Sequence, residues 1–504
     1  MDAQKVDQET KEILLDFLKN TDDFLIIDGG AGSGKTTSIA WALNYCDENN
    51  LSANAVAYTG KAASMLRDKT SGKYGQTIHL FLYSYDYDVD DESIDEGQPK
   101  RIRKINESPV DVLFVDESSM LSRKVTGFEV NEKPTYLLDE LVNLQCKKNS
   151  KKIVFVGDHR QLAPVEKEDH HDSEVSEATT SFDDAEEFKS QNSIFTDALN
   201  ENVLINHYDL RGGAYYCSEN YRNNDDSKIK SISFKLQKEI TIDENIDYSP
   251  REWIKEHFPE LIFRTKEEAF LWLTEKRNKV GWIDTRVVSG FNSSVDELNS
   301  DIRTKVEGMT GEIGEIKFKS THPLMNLRNR HESEIYNGDT FFIEETSDEN
   351  FYTTNKGSDC QKSSRAHYQC KKGTLEQLKL SKVKVNLKRS SEASKEVLIM
   401  NELIKLEIAR KDLDDRYNKN LWLDFAHRNP ELEKKKDYEW YQGLRQDPVS
   451  NTLLAVHAFT STVHKAQGDE FKYVLVDLDN EQFSLKWLYT AVTRAISEVR
   501  FLIS

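Results

Sequence analysis

The chain has 504 residues, 37% of them hydrophobic, and 68 Lys and Arg against 88 Asp and Glu give a formal net charge of −20. At roughly 100–200 residues per domain, this length implies three or four domains with sizeable cores, which excludes a small disulfide-stapled scaffold. Taken whole, the acidic balance is not the basic profile of a nucleic-acid binder. No apolar run approaches the roughly 20 residues that span a bilayer, and the polar start MDAQKVDQET does not read as a signal peptide. The five cysteines are dispersed and include no C-x-x-C pair, which argues against zinc sites and for a reducing, cytoplasmic setting.

In chain order, the apolar run Phe24–Ile27 leads into Gly29-Gly30-Ala31-Gly32-Ser33-Gly34-Lys35-Thr36, and the residues from Thr37 onward have helical spacing. This strand, glycine-rich loop and helix form the P-loop pattern in its required context. Backbone N–H groups of Gly30, Gly32, Ser33, Gly34 and Thr37 are placed to converge on phosphate oxygens, aided by the helix N-terminus. Lys35 would reach the β- and γ-phosphates, and the Thr36 hydroxyl would ligate Mg²⁺. A second strand is expected over Ala53–Tyr58. Residues 80–110 then read as an excursion of two strands, the first aromatic (Phe81–Tyr85) and the second basic (Lys100–Ile105).

The buried-looking run Val112–Val115 ends in Asp116-Glu117. Paired carboxylates beside a P-loop suit hydrolysis, Asp116 holding the Mg²⁺ shell and Glu117 orienting and deprotonating the attacking water. Another strand, Ile153–Val156, is followed by Gly157–Pro164, which puts Gln161 in position to sense the γ-phosphate. Four apolar strands separated by helical stretches imply an α/β fold with a parallel doubly wound sheet and its ligand at the strands' C-terminal ends.

Charge is unevenly spread. Residues 86–96 hold seven carboxylates and no base, and residues 166–187 hold ten against Lys167 alone, so these two stretches account for four fifths of the net charge. Neither has apolar periodicity, and both read as solvated loop. Residues 360–389 show the opposite bias, nine Lys and Arg against Glu376, which suits either phosphate attraction or a solvated face.

The whole series, from Gly29 to Arg494, resembles a superfamily 1 helicase of the RecD/Dda branch. Ala57–Ala63 and Thr77-Ile78-His79 are similar to that family's segments contacting the single-strand backbone, which implies such roles for Thr59, Lys61 and His79. Glu219-Asn220-Tyr221-Arg222 resembles its motif IV, whose arginine reaches the γ-phosphate. Thr460–Phe471 resembles motif V, implying nucleic-acid contacts from Thr462, His464 and Lys465 and a nucleotide contact from Glu470. Leu488–Ala495 resembles motif VI and makes Arg494 the arginine finger. Gln8 is the best-placed candidate for the glutamine that reads adenine, or else a surface-helix residue. Ala163 stands where the family has a customary proline.

The resemblance also implies two RecA-like P-loop cores with an inserted β-hairpin pin and an inserted SH3-like barrel plus helical segment. The first core would occupy residues 1–205, interrupted by a pin at 80–110. The second would occupy 206–338 and 451–504, interrupted at 339–450 by the barrel and a helical, tower-like segment whose apolar face is Met400, Leu403, Ile404 and Ile408. ATP and Mg²⁺ are the implied cofactors. Single-stranded and tailed duplex DNA are the implied partners of a monomeric, membrane-free protein that travels 5′ to 3′. Two alternatives remain open: an ATP-driven nucleic-acid remodeller that does not unwind, and an RNA helicase of the same superfamily.

Overall fold

The structure is a computed structural model that describes residues 6–87, 101–105, 108–122, 126–130, 133–162, 197–218, 220–222, 227–242, 249–309, 321–327, 330, 333, 335–352, 378–388, 394–400, 421, 424–432, 437–479 and 483–504. Most of the first acidic stretch, all of the second, Ala163, Glu219, most of the basic window and the positions Leu403, Ile404 and Ile408 lie outside them. Among the described residues, no helix is long and apolar enough to cross a membrane.

The four strands expected from the apolar runs form the middle of a six-stranded sheet, ordered Gly212–Cys217, Phe24–Gly29, Lys152–Gly157, Val112–Asp116, Ala53–Ala57 and Gln76–Thr77. Every pairing in it is parallel. Successive side chains of a strand point to opposite faces, and both faces here are covered. Leu25, Ile27, Phe114 and Val156 pack with Leu14, Phe17, Ile39 and Leu43 of the helices Gln8–Lys19 and Lys35–Glu48. Ile26, Leu113, Val115 and Phe155 pack on the other side with Leu137, Leu141 and Leu204. Each such side chain, fully buried, contributes roughly 1.5–3 kcal/mol. This is why strands covered on both faces read as unbroken apolar runs.

The edge strand Gly212–Cys217 corrects the expected boundary at 205, because it pairs with Phe24–Gly29 and belongs to the first core. Its glycines hid it from a hydrophobicity reading. They are needed there, since a Cβ on Gly212 would stand 2.0 Å from the carbonyl oxygen of Phe24.

The second sheet is also parallel, ordered Ile262–Phe263, Ala495–Leu502, Phe471–Asp477, Thr285–Ser289 and Thr460–Thr462. On one face lie the helices Lys228–Ile242 and Leu485–Val492, and on the other Lys266–Val280 and Asn292–Asp301. Leu162 of the first core is buried in the second core's cluster beside Val463, Ala466 and Leu488.

A third, antiparallel sheet is ordered Lys395–Met400, Lys379–Leu387, Thr340–Tyr352, Leu324–Asn326 and Ala455–His457. A bridge between Ile399 and Leu453 brings its two edges together. The insertion is thus wider than the expected 339–450, because its first and last strands come from 324–326 and 455–457. Asn337-Gly338-Asp339 forms the turn into its long strand, with Gly338 at φ 88° and Asp339 accepting from the Tyr336 N–H at 2.7 Å.

Two local readings are also corrected. Met400 closes a strand rather than opening a helix: Lys395–Met400 pairs residue by residue with Leu380–Val385, and long-range pairing overrides a helical spacing. Phe81 and Leu82 belong to the short helix Ile78–Leu82, started by the Thr77 hydroxyl, which accepts from the Leu80 N–H. The strand pair of the excursion is Tyr83–Tyr87 with Arg101–Ile105, antiparallel. A second ribbon that the sequence did not reveal, Thr126–Val130 with Lys133–Tyr136, lies alongside, joined by the hydroxyls of Tyr83 and Thr135 at 3.1 Å.

Glu307 fastens the second core to the root of the insertion. Its carboxylate accepts from Trp282 Nε1 at 2.8 Å and His322 Nε2 at 3.0 Å and pairs with Arg277 at 2.9 Å. Burial pushes this carboxyl up, but the His322 and Trp282 hydrogen bonds and the Arg277 guanidinium outweigh it and hold it down at about 2. A depressed carboxylate stabilises the fold above its unfolded pKa, and that stability is lost as pH falls through the folded value. Glu307→Gln is therefore expected to melt roughly 3–6 °C below wild type at pH 7. The gap should close as pH falls from 4.5 towards 2, as read by thermal unfolding across that range.

Candidate nucleotide site and nucleic-acid contacts

The strand Phe24–Gly29 delivers the chain to a loop whose Gly32 and Gly34 take φ of 84° and 85°, after which the helix Lys35–Glu48 begins. Gly32 must be bare for a second reason: a Cβ there would stand 2.6 Å from that of Arg222. The segment Asn220–Arg222 lies directly on the loop, with the Tyr221 N–H donating to Gly32 O at 2.9 Å. Lys35 Nζ donates to the carbonyls of Gly29 and Gly30 at 2.6 and 2.9 Å. Ser33 Oγ is buried with no hydrogen-bond partner, which suits a loop that closes around phosphate oxygens.

A cavity of about 360 Å³ opens over this loop, lined by Gly32–Thr37, Lys69, Asp116, Glu117, Gln161, Tyr221, Arg222, Glu470 and Arg494 among others. Both cores thus supply its walls. Of the expected nucleotide-site residues only Gly30 and Gln8 are not among the lining residues: Gly30 lies beneath, against Gln237 and Tyr489, and Gln8 Nε2 donates to Glu12 on the surface of the first helix.

Asp116 and Glu117 occupy the buried end of their strand. Burial pushes both carboxyls up; Lys69, Lys35 and the Thr36 hydroxyl oppose this at Asp116. At Glu117 burial and the neighbouring Asp116 push up, and Lys35 and Arg494 oppose. Glu117 also has φ 53° and ψ 40°, a left-handed backbone that costs a non-glycine residue on the order of 1–2 kcal/mol. It is held there by its N–H, which donates to Asp116 Oδ1, and by Ser118 Oγ, which donates to Val115 O at 2.7 Å and accepts from Val156 N. The turn thereby aims the Glu117 carboxylate into the cavity.

The arginines reach the cavity from different sides. Arg222 Nη1 donates to Thr493 O at 3.0 Å, and its Nη2 pairs with Glu470. Arg494, buried at the end of the helix Leu485–Val492, donates from Nε to Thr490 O at 3.0 Å. Gln161 is fixed by its neighbour: the Leu162 N–H donates to Thr490 Oγ1 at 3.1 Å, and Leu162 O accepts from Gln467 Nε2 at 3.2 Å.

The expected strand-contacting residues sit at the C-terminal ends of strands in both cores. Thr59 and Thr462 cap the helices Gly60–Lys69 and Val463–Ala466, accepting from the N–H groups of Ala62 and Lys465. The His79 ring stands between those of Tyr58 and Tyr83, at 6.4 and 6.3 Å. His464 has a buried Nε2 without a partner, and burial lowers its pKa to about 4, so the ring is neutral at physiological pH. Lys61 requires correction. It is buried, pairs with Asp469 at 2.7 Å and donates to Lys465 O at 2.9 Å, so its ammonium ties the two cores together instead of facing a phosphate backbone.

A family model described as an AAA domain matches residues 5–186, and one described as a UvrD-like helicase C-terminal domain matches residues 457–502. The first holds Lys35 and Glu117, the second Glu470 and Arg494, and the fold brings all four to one cavity. Both matches fall on segments that carry the superfamily 1 helicase resemblance, and the second is to a helicase C-terminal domain. The RecBCD enzyme subunit RecD of Buchnera aphidicola subsp. Schizaphis graminum is 28% identical over 174 residues, 32% of this chain. The match spans 26% of that relative's length. Among solved structures, Bacteroides Pif1 bound to ssDNA aligns with a TM-score of 0.50 at 13% identity, covering 98% of this chain and 92% of that one. Pif1 helicase from Candida albicans aligns with a TM-score of 0.48 at 15% identity, covering 98% and 94%.

Two residues lining the cavity and one beneath the P-loop escaped the sequence reading of roles. Lys69 ends the helix Gly60–Lys69 at the cavity, where burial lowers its pKa and Asp116 and Glu470 oppose the fall. Tyr221 presents a ring 43% exposed at the rim. Tyr489 lies inside the motif VI match and looks like one more core aromatic of its helix, yet its hydroxyl is the junction of the site. It donates to Asp158 Oδ2 at 2.7 Å and accepts from the P-loop N–H of Ala31 and from Gln237 Nε2, both at 3.2 Å. Tyr489→Phe leaves the buried Asp158 and Ala31 groups without that partner, a loss of about 1–3 kcal/mol. The expected outcome is a melting temperature several degrees lower and nucleotide affinity weakened about tenfold, measured by thermal unfolding and fluorescent-nucleotide titration.

Proposed function

We propose that this ATP-hydrolysing helicase moves 5′ to 3′ on single-stranded DNA as a cytoplasmic monomer, opening tailed duplexes with Mg²⁺-bound ATP. The observation that carries the reading is the shared cavity, with Lys35 and Glu117 from one core, Arg494 from the other, and Arg222 lying against the P-loop. Phosphoryl transfer is catalysed chiefly by positioned charge, and an arginine finger supplies on the order of 10³–10⁵ in rate. Because Arg494 and the P-loop belong to different cores, hydrolysis depends on how closely the cores approach. Nucleotide occupancy thereby becomes motion of one core against the other, and strand contacts on both cores convert that motion into travel.

The oxygen donors Thr36 and Asp116, adjacent and partly buried, suit a hard divalent cation. Bound there, Mg²⁺ would screen the phosphate charge. Glu117, whose raised pKa leaves it a stronger base than an exposed glutamate, would align and deprotonate the attacking water. Lys35 and Arg222 would exchange their present partners, the loop carbonyls and Glu470, for phosphate oxygens. The antiparallel ribbon Tyr83–Tyr87 with Arg101–Ile105 is the proposed wedge at the duplex junction.

The test uses DNA and RNA duplexes with either a 5′ or a 3′ single-stranded tail, ATP and Mg²⁺. Opening of the 5′-tailed DNA alone is expected. Opening of 3′-tailed substrates would reverse the polarity, and preferential opening of RNA would replace the substrate. Strand-stimulated hydrolysis with no opening would make the protein a remodeller. Lys35→Ala should abolish turnover, and Glu117→Gln should lower it by about 10²–10⁴ while nucleotide still binds. Turnover retained in Glu117→Gln would remove this residue as the base.

A further inference from the structure

The turn Asp469-Glu470-Phe471 touches more of the machinery than its three residues suggest. Glu470 pairs with Arg222 in the cavity, the Phe471 N–H donates to Arg494 O at 2.9 Å, and Arg494 Nη1 approaches Asp469 O at 3.5 Å. Asp469 holds Lys61 of the first core. This turn therefore sets where Glu470 and the backbone of Arg494 lie relative to the P-loop.

Its grip comes from the inserted sheet. Lys388 follows the strand Lys379–Leu387, and its backbone N–H donates to Thr340 O at 3.0 Å. Its Nζ donates to Glu470 O at 2.6 Å and stands 3.2 Å from the centroid of the Phe471 ring. Arg286, buried in the second core, stacks on the same ring at 4.7 Å and donates from Nη2 to Thr340 Oγ1 at 3.2 Å, while its Nε and Nη1 have no partner. An apolar side chain would pack on Phe471 without the cost of desolvating an ammonium. It could not make the hydrogen bond by which Lys388 holds the Glu470 carbonyl.

We propose that Lys388 is a positioning residue for ATP hydrolysis, holding the Asp469–Phe471 turn so that Glu470 and Arg494 face the nucleotide. The inference rests on the ATPase reading of the cavity and adds to it a route by which the inserted sheet governs turnover. Whatever displaces the sheet moves Lys388, and with it the turn.

Burial lowers the Lys388 pKa to about 7; Asp469 and Asp284 resist the fall, and Arg286 and Lys61 add to it. These, with the Glu470 carbonyl, are the polar groups facing it from the motif V turn, from the second core's strand Thr285–Ser289 and the residue before it, and from the first core's helix. The ammonium is therefore present below neutral pH and lost as pH rises through about 7, while an arginine in its place stays charged.

The experiment measures kcat and KM for ATP with saturating single-stranded DNA, from pH 6 to 8.5, for wild type, Lys388→Met and Lys388→Arg, with a melting curve for each. Lys388→Met keeps the stem over Phe471 and is expected to lose about tenfold in kcat at pH 6, with KM changed less than twofold and melting within a few degrees of wild type. The Lys388→Arg variant should restore most of that kcat and hold its advantage over Lys388→Met to pH 8.5, whereas the wild-type advantage should shrink with rising pH. Equal kcat in wild type and Lys388→Met overturns the inference alone. So does a Lys388→Met defect confined to KM or to melting. Wild-type protein that fails to turn over ATP overturns both this inference and the ATPase reading.

Discussion

Two carboxylates side by side at the buried end of a strand repel each other, and the molecule is organised around that repulsion. Asp116 and Glu117 cannot both be charged in a dry site without cations close by. The first core brings Lys35 and Lys69, and the second brings Arg494. Asp158 meets the same difficulty: burial pushes it up, and Arg160 and Lys35 more than offset this, helped by the hydroxyl of Tyr489. Compensation drawn partly from the opposite core makes the core–core interface and the reaction site one object. Any drift between the cores changes the electrostatics at Glu117 directly.

The cores are tied by contacts of distinct kinds. Leu162 is an apolar plug from the first core whose backbone groups both find partners in the second. Lys61 and Asp469 form a buried ion pair, which is costly to break because either partner alone is left as an unpaired charge. Tyr489 adds a neutral hydrogen-bonded junction; burial and the adjacent Asp158 push its phenol up, so it remains a proton donor throughout the physiological range.

Legibility in the sequence followed distance along the chain. Strands buried on both faces, the glycine loop and the Asp116-Glu117 strand end were readable because the chemistry and its spacing lie within a dozen residues. Arg222, Glu470 and Arg494 were reached through family resemblance, and they line the same cavity as the P-loop. What could not be read were partnerships across 82 to 458 residues. Tyr489 with Ala31, Lys61 with Asp469 and Lys388 with Glu470 each join segments that no local pattern relates. The misread boundaries have the same origin: Gly212–Cys217 is a strand only because Phe24–Gly29 lies beside it, and Lys395–Met400 only because Lys379–Leu387 does. A strand contact for Lys61 was implied by family resemblance alone. Burial against Asp469 is a tertiary fact.

The third sheet leaves and rejoins the second core through a single pair of neighbouring strands, Leu324–Asn326 against Ala455–His457. Topologically it is a cassette: everything between could be lengthened, shortened or exchanged without rethreading either core, since the chain comes back to where it departed. Such an appendage is ordinarily free to vary. Here the same appendage is stitched down a second time, at the Asp469–Phe471 turn. A graft that reproduced the two neck strands but not that stitch would fold in place and yet be mechanically silent.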